Sequence, residues 1–210
     1  MLSKVNDPAA VDSVATDECL MLRVRERRDE RALEELVRRY ERPLYNYLVR
    51  YTGNPTKAEE IFYGTFERVF ERRQQFDERR RFKPWLFSIA THLAIDSLRK
   101  GGRHRHVALD APIESADASQ TKLMDLLRDN RPSPIAQLEA TERRDWVRAA
   151  VADLPESMRG VVLMAYYERM KLHEIAEALG IPEGTVKSRL HRALLELNRA
   201  WKSGHRGEAA

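Results

Sequence analysis

Residues 171–201 read KLHEIAEALGIPEGTVKSRLHRALLELNRAW. Leu172, Ile175, Ala176 and Leu179 recur at three- and four-residue steps, which predicts the buried face of a short helix. Gly180 stands where the chain must turn sharply, and glycine enters positive φ without the steric cost a Cβ would bring. Ile181 supplies an apolar plug, Pro182 can begin the next helix, and Gly184 is expected to let its first turn approach another backbone closely. Val186, Leu190, Ala193 or Leu194, Leu197 and Trp201 give that second helix its apolar stripe. Its opposite face carries Thr185, Ser188, Arg189 and Arg192, flanked by Lys187 and His191. Small polar and arginine side chains at a helix N-terminal end suit base edges in a major groove, and further cations suit phosphates. The stretch predicts a DNA-binding helix-turn-helix, with an ordinary basic αα-hairpin as the alternative.

Working back along the chain, Met158, Val161, Val162, Met164, Ala165 and Tyr166 predict another helix, opened after the break at Leu154-Pro155-Glu156. Ile135, Leu138, Trp146, Val147, Ala150 and Val151 predict the helix before it, so residues 133–203 form one unit. Residues 103–132 are poor in aromatics and read as a linker. If flexible, such a tether holds its ends about 30 Å apart on average and stretches to roughly 100 Å. Residues 17–102 form a second unit. Leu33, Val37, Tyr40, Leu44, Tyr47, Leu48 and Tyr51 make one apolar stripe broken only by Pro43, and Gly53-Asn54-Pro55-Thr56 is a turn. Ala58, Ile61, Phe62, Thr65, Phe66, Val69 and Phe70 make the next ladder. After the loop Gln74–Lys83, Pro84 sits where a first helical residue tolerates proline. Trp85, Leu86, Ile89, Ala90, Leu93, Ala94 and Leu98 follow, and Gly101-Gly102 stops the helix. The expected fold is all-α: an N-terminal helical bundle of three or four helices and a C-terminal helix-turn-helix domain, joined by a flexible linker.

Charge points to a polyanion. The 210-residue chain carries +4 overall, but Arg68–His106 carries +7, Val107–Ala140 carries −3 and Lys187–Arg206 carries +5. Two basic blocks around an acidic middle suit a ligand gripped at two places, because each phosphate neutralised releases counterions. Solvated faces of arginine-rich helices are the alternative. No apolar run approaches the ~18 residues of a membrane span, and the N-terminus lacks the apolar core of a secretory signal. The single cysteine, Cys19, excludes an internal disulfide. These features predict a cytoplasmic chain with no membrane insertion.

With both halves read, the sequence resembles the extracytoplasmic-function (ECF) sigma factors of the sigma-70 family over residues of about 17–100 and 134–201. Leu36, Arg39 and Tyr40 resemble the end of the family's first helix, and Phe82-Lys83-Pro84-Trp85-Leu86 through Asp96-Ser97-Leu98-Arg99-Lys100 resembles its promoter-melting helix. Leu154-Pro155 through Tyr166, then Glu174-Ile175-Ala176 and Gly184–Ala193, resemble its fourth conserved region. The resemblance implies a subunit that binds core RNA polymerase and directs promoter-specific initiation. Thr185, Lys187, Ser188, Arg189, His191 and Arg192 would read the upstream, minus-thirty-five element. Arg79, Arg80, Arg81, Lys83, His92, Arg99 and Lys100 would hold the melted downstream, minus-ten element, with His92 standing where the family commonly has asparagine. Phe82 and Trp85 read as core rather than as stacking platforms. Glu59, Glu60, Tyr63, Thr65 and Phe66 would contact the polymerase, although Tyr63 and Gly64 replace a polar Gln-Glu pair of the family pattern. The acidic linker would thread toward the polymerase active centre. Core RNA polymerase and promoter DNA are the implied partners, and the family pattern leaves room for an anti-sigma factor.

Other chemistry finds little support. His104 and His106 form an H-x-H pair, and His92, His173, His191 and His205 are scattered, whereas a metal needs three or four converging ligands. Neither a phosphate-cradling glycine loop nor a G-x-S-x-G or H-E-x-x-H motif is present. No catalytic residue, cofactor, metal or small-molecule substrate is expected. The rival class is a helix-turn-helix regulator that binds its operator as a dimer, and a third is an interaction protein that binds no DNA.

Overall fold

The computed structural model describes residues 15–100 and 145–204. The expected linker at 103–132, the start of the second unit, His104, His106 and His205 lie outside the described residues. Every regular element among the described residues is helical.

Helix α1 (Asp17–Arg27) opens on Thr16, whose Oγ1 accepts from the Cys19 N–H, and places Asp17 and Glu18 in its first turn, where the helix dipole favours acids. It buries Leu20, Met21 and Val24 and ends on Arg28 at φ +52°. Helix α2 (Glu30–Thr52) starts from the Asp29 cap and ends on Gly53 at φ +66°. It runs straight through Pro43, which the sequence reading took for a break, and buries Leu36, Tyr40, Leu44, Tyr47, Leu48 and Tyr51. Helix α3 (Pro55–Glu71) has Asn54 as its cap and Pro55 at its first position, where no backbone N–H is needed. A single 3₁₀ turn (Arg73–Gln75) leads into helix α4 (Phe82–Lys100). Pro84 is the third residue of α4 rather than its first, still within the turn whose N–H groups have no helical acceptor. These four helices form the N-terminal bundle.

The C-terminal part begins with helix α5 over residues 145–153. Helix α6 (Glu156–Val162) passes into one π turn (Leu163–Tyr167), where periodicity alone predicted a continuous α-helix. Helix α7 (Leu172–Leu179) and helix α8 (Glu183–Gly204) complete it. Val147, Leu154, Met158, Val161, Leu163, Ile175, Val186, Ala193 and Leu197 form the core of this part. Each such aliphatic side chain contributes about 1.5–3 kcal/mol when fully buried.

The two parts are packed on each other. α7 lies across α4, and α6 with its π turn lies against α2. Gly160 eases the close approach, since a Cβ there would lie 3.3 Å from Tyr51 Cε2, a tight contact that asks the ring to give by a few tenths of an ångström. Beneath this contact Thr91 Oγ1 donates to the Phe87 carbonyl at 2.6 Å. That leaves the buried Tyr47 hydroxyl to donate to Thr91 Oγ1 at 2.7 Å.

Candidate nucleic-acid and polymerase interface

The helix-turn-helix is built as its sequence requires. Glu174 Oε2 accepts from the Lys171 N–H at 2.8 Å, fixing the start of α7. Gly180 sits at φ +64° and closes α7, and the Ile181 N–H reaches the Ala176 carbonyl at 3.1 Å. Pro182 stands just before α8, its carbonyl accepting from the Thr185 and Val186 N–H groups at 2.9 and 3.1 Å. Gly184 does not make the expected close approach: it is exposed, and a Cβ there would meet nothing within 4 Å among the described residues. The glycine requirement therefore rests on Gly180 alone.

Val186, Ala193, Leu194 and Leu197 are buried, which turns the other side of α8 outward. Lys187 is exposed there, and Thr185, Ser188, Arg189, His191 and Arg192 are half-buried. Ser188 Oγ donates to the Thr185 carbonyl at 3.0 Å. Arg189 Nε is buried with no hydrogen-bond partner among the described residues, an uncommon state for a guanidinium nitrogen.

The second cationic group lies on the loop before α4 and along α4 itself. Glu18 Oε1 accepts from the Phe82 N–H at 3.1 Å, and Arg25 Nη1 donates to the Phe76 carbonyl at 3.1 Å, so α1 fixes both ends of the loop. Phe76 and Phe82 are buried and Trp85 packs against both at 5.2 and 6.1 Å, which makes all three scaffold. Arg79, Arg80 and Arg81 are exposed. Exposed His92 holds Nδ1 2.7 Å from the Ser88 carbonyl, an acceptor, so Nδ1 is the donor of that bond and Nε2 points away from it. Arg99 and Lys100 are exposed at the far end of α4, about 28 Å from its start.

Lys83 is engaged across the molecule. Its Nζ lies 3.1 Å from Glu168 Oε2 and donates to the Glu168 carbonyl at 2.8 Å. Burial pushes the Glu168 carboxyl above its ordinary value, and the Lys83 charge and hydrogen bond oppose that shift. Arg80 Nε lies 3.7 Å from Glu177 Oε1 on α7. Glu168 and Glu177 were not among the residues singled out by sequence, because single acids in a mixed-charge segment carry no pattern.

The third group is on α3. Glu59, Glu60 and Tyr63 are exposed, Tyr63 at 66%. Glu59 and Tyr63, but not Glu60, border an open groove of about 1100 Å³ between α2 and α3, lined also by Arg38, Arg42, Tyr45 and Phe62. Thr65 and Phe66 are elsewhere: both are buried, and Thr65 Oγ1 donates to the Ile61 carbonyl at 2.6 Å. Their side chains have no surface to offer a partner, because they face the core side of α3. Among the described residues, no group of three His, Cys, Asp or Glu side chains could hold a metal, and no helix is long and apolar enough to cross a membrane.

Two family models match the chain. Residues 36–104 match the family model of sigma-70 region 2, and residues 144–197 match that of sigma-70 region 4. The ECF RNA polymerase sigma factor SigW of Bacillus subtilis is 32% identical over 164 residues, spanning 78% of this chain and 86% of SigW. The ECF RNA polymerase sigma factor SigL of Mycobacterium tuberculosis is 33% identical over 155 residues, 73% of this chain and 80% of SigL. The fold is shared with CnrH, solved in complex with the cytosolic domain of CnrY, at a TM-score of 0.63 and 20% identity over 90% of this chain and 99% of that one. With two regions matched in order and relatives of this closeness, the chain belongs to the ECF sigma factors, the sigma-70 family subunits that direct RNA polymerase to promoters.

Proposed function

We propose that this sigma factor divides promoter recognition between its two halves. The outward face of α8 reads the upstream element, with Arg189 and Arg192 on base edges and Lys187 on phosphate. Thr185, Ser188 and His191 complete that face. Arg79, Arg80, Arg81 and Lys83 hold the backbone of the melted downstream strand, and His92, Arg99 and Lys100 continue the track along α4. The exposed side of α3, Glu59, Glu60 and Tyr63, docks on the polymerase. The protein acts by binding, with no catalytic step and no cofactor.

One observation carries the upstream reading. Left-handed Gly180 sets α8 so that one side closes the core while the other presents a basic, small-residue face. Run-off transcription with core polymerase tests the whole: the chain should confer start-site-specific initiation, whereas a dimeric regulator does nothing without another sigma factor. Within that assay Arg192→Ala or Arg189→Ala should weaken upstream-element binding by about 1–3 kcal/mol, selectively for the cognate sequence. An equal loss on random DNA would remove the base-reading role.

A further inference from the structure

Gly184 is a glycine that no contact among the described residues explains. Gly53 and Gly180 hold positive φ, Gly160 has Tyr51 at 3.3 Å from its missing Cβ, and Gly64 has Leu93 at 3.9 Å. Gly184 has neither feature: its φ is not positive, and a Cβ there would meet nothing within 4 Å among the described residues. It is exposed in the first turn of α8, where alanine would favour the helix more. A residue that weakens its own helix and eases no contact inside the chain is free to serve a contact outside it. Its position shows which one. Gly184 lies three residues before Lys187, four before Ser188 and seven before His191, so the helical period puts it on their side, at the leading end. The neighbouring side chains there stand low. Thr185 and Ser188 are short and half-buried, and the Ser188 hydroxyl is turned back onto the Thr185 carbonyl at 3.0 Å.

We infer that Gly184 sets the depth of α8 in the major groove: its missing side chain lets the helix backbone lie against the base-pair edges, within reach of the short hydroxyl side chains of Thr185 and Ser188. This role rests on the upstream-element reading given above and adds a determinant to it. Its basis is reach. Arginine and lysine touch base edges or phosphates even from a helix that stands off, because their stems are long. A serine or threonine hydroxyl extends one bond beyond Cβ, and its hydrogen bonds hold only near about 2.5–3.2 Å. The partner of that hydroxyl is narrowed as well. Ser188 Oγ donates its one hydrogen to the Thr185 carbonyl, so it offers lone pairs outward. Those suit an exocyclic amino group in the major groove, adenine N6 or cytosine N4. A methyl group at residue 184 lifts the leading turn and breaks this contact first, while the longer Arg189 and Arg192 keep theirs. Gly184 therefore serves sequence discrimination more than total affinity.

The test uses the full-length chain assembled with core polymerase, with Gly184→Ala, Ser188→Ala and Arg192→Ala beside the wild type. The probe is a promoter duplex recovered by run-off selection with the wild-type holoenzyme, paired with the same duplex carrying a scrambled upstream element. Thermal melts of the free chains check the fold. Gly184→Ala should melt no lower than the wild type, yet its holoenzyme should bind the cognate duplex roughly tenfold more weakly, with binding to the scrambled duplex unchanged. Ser188→Ala should lose discrimination in the same direction. Undiminished discrimination by Gly184→Ala or by Ser188→Ala overturns the depth role, as does a lower melting temperature for Gly184→Ala. An equal loss on both duplexes overturns it too, since that would set the glycine against backbone phosphates. Arg192→Ala separates the two readings. If it lowers cognate binding while Gly184→Ala does not, the depth role falls alone; if the wild-type holoenzyme does not prefer the cognate duplex, the upstream-element reading falls with it.

Discussion

Glu35 shows how much one side chain can organise. Its carboxylate accepts from Arg38 Nε and Nη2 and from Arg39 Nε, each at 2.8 Å. Arg39 Nη1 in turn donates to the Ala15 carbonyl at 2.7 Å and to Asp17 Oδ1 at 2.8 Å, while the Tyr40 hydroxyl donates to Asp17 Oδ2 at 2.6 Å. The network fastens α1 to α2, and the neighbouring Glu18 holds the start of α4. Hydrogen bonds from Arg38 and then Arg39 hold the Glu35 carboxyl at about 2, down from 4.5. A carboxyl lowered on folding stabilises the protein above its unfolded value, and that stability is lost as pH falls through the folded one. Glu35→Gln should therefore cost about 1 kcal/mol at neutral pH after allowance for solvent screening. It should also flatten the loss of stability between pH 4.5 and 2, as urea titrations at several pH values would reveal. An unchanged acid limb would remove Glu35 as its source.

Among the elements, α3 carries a weakness in its interior. Gly64 lies in its interior, where glycine costs about 1 kcal/mol relative to alanine. A Cβ at this site would lie 3.9 Å from Leu93 Cδ1, an ordinary van der Waals contact. Gly64→Ala should thus raise stability by about 1 kcal/mol, or about 2–4 °C in a thermal melt. A lower melting temperature would mean that the backbone at Gly64 needs glycine for a reason other than space. Gly180 is the opposite case: space is free around it, but its φ of +64° is a conformation that alanine adopts only with strain. The same residue type thus serves as a requirement in one element and a weakness in another. Sequence patterns marked Gly180 for a turn at positive φ and Gly184 for a close backbone approach, and among the described residues only the first is met.

At the scale of the whole molecule, Arg159 joins the halves. Its Nη1 donates to the Tyr51 carbonyl near the end of α2, and its Nη2 donates to the Leu154 carbonyl at 2.9 Å. Arg159→Met keeps most of the aliphatic stem and removes both donors, leaving two carbonyls at the junction without them. The expected cost is about 1–3 kcal/mol in guanidinium chloride unfolding, accompanied by a larger radius of gyration. A destabilised protein of unchanged dimensions would assign Arg159 to the C-terminal half alone.

Much of the molecule was decided by local sequence. The apolar ladders of α2, α3, α4 and α8 specify helices because a buried stripe at helical period has few other ways to leave water, and Gly180 specifies its turn because of backbone sterics. The two basic blocks were equally visible, as charge is additive along a chain. Helix α1 was the least legible, because its apolar set, Leu20, Met21 and Val24, is short. The ladder of α3 already put Thr65 and Phe66 on its inner side and left Tyr63 off it, so expecting those two at a polymerase contact ran against the periodicity. Tertiary structure alone brought Glu168 to Lys83, 85 residues away in the chain. A contact between distant residues depends on how finished elements pack, and no periodicity in either segment encodes it.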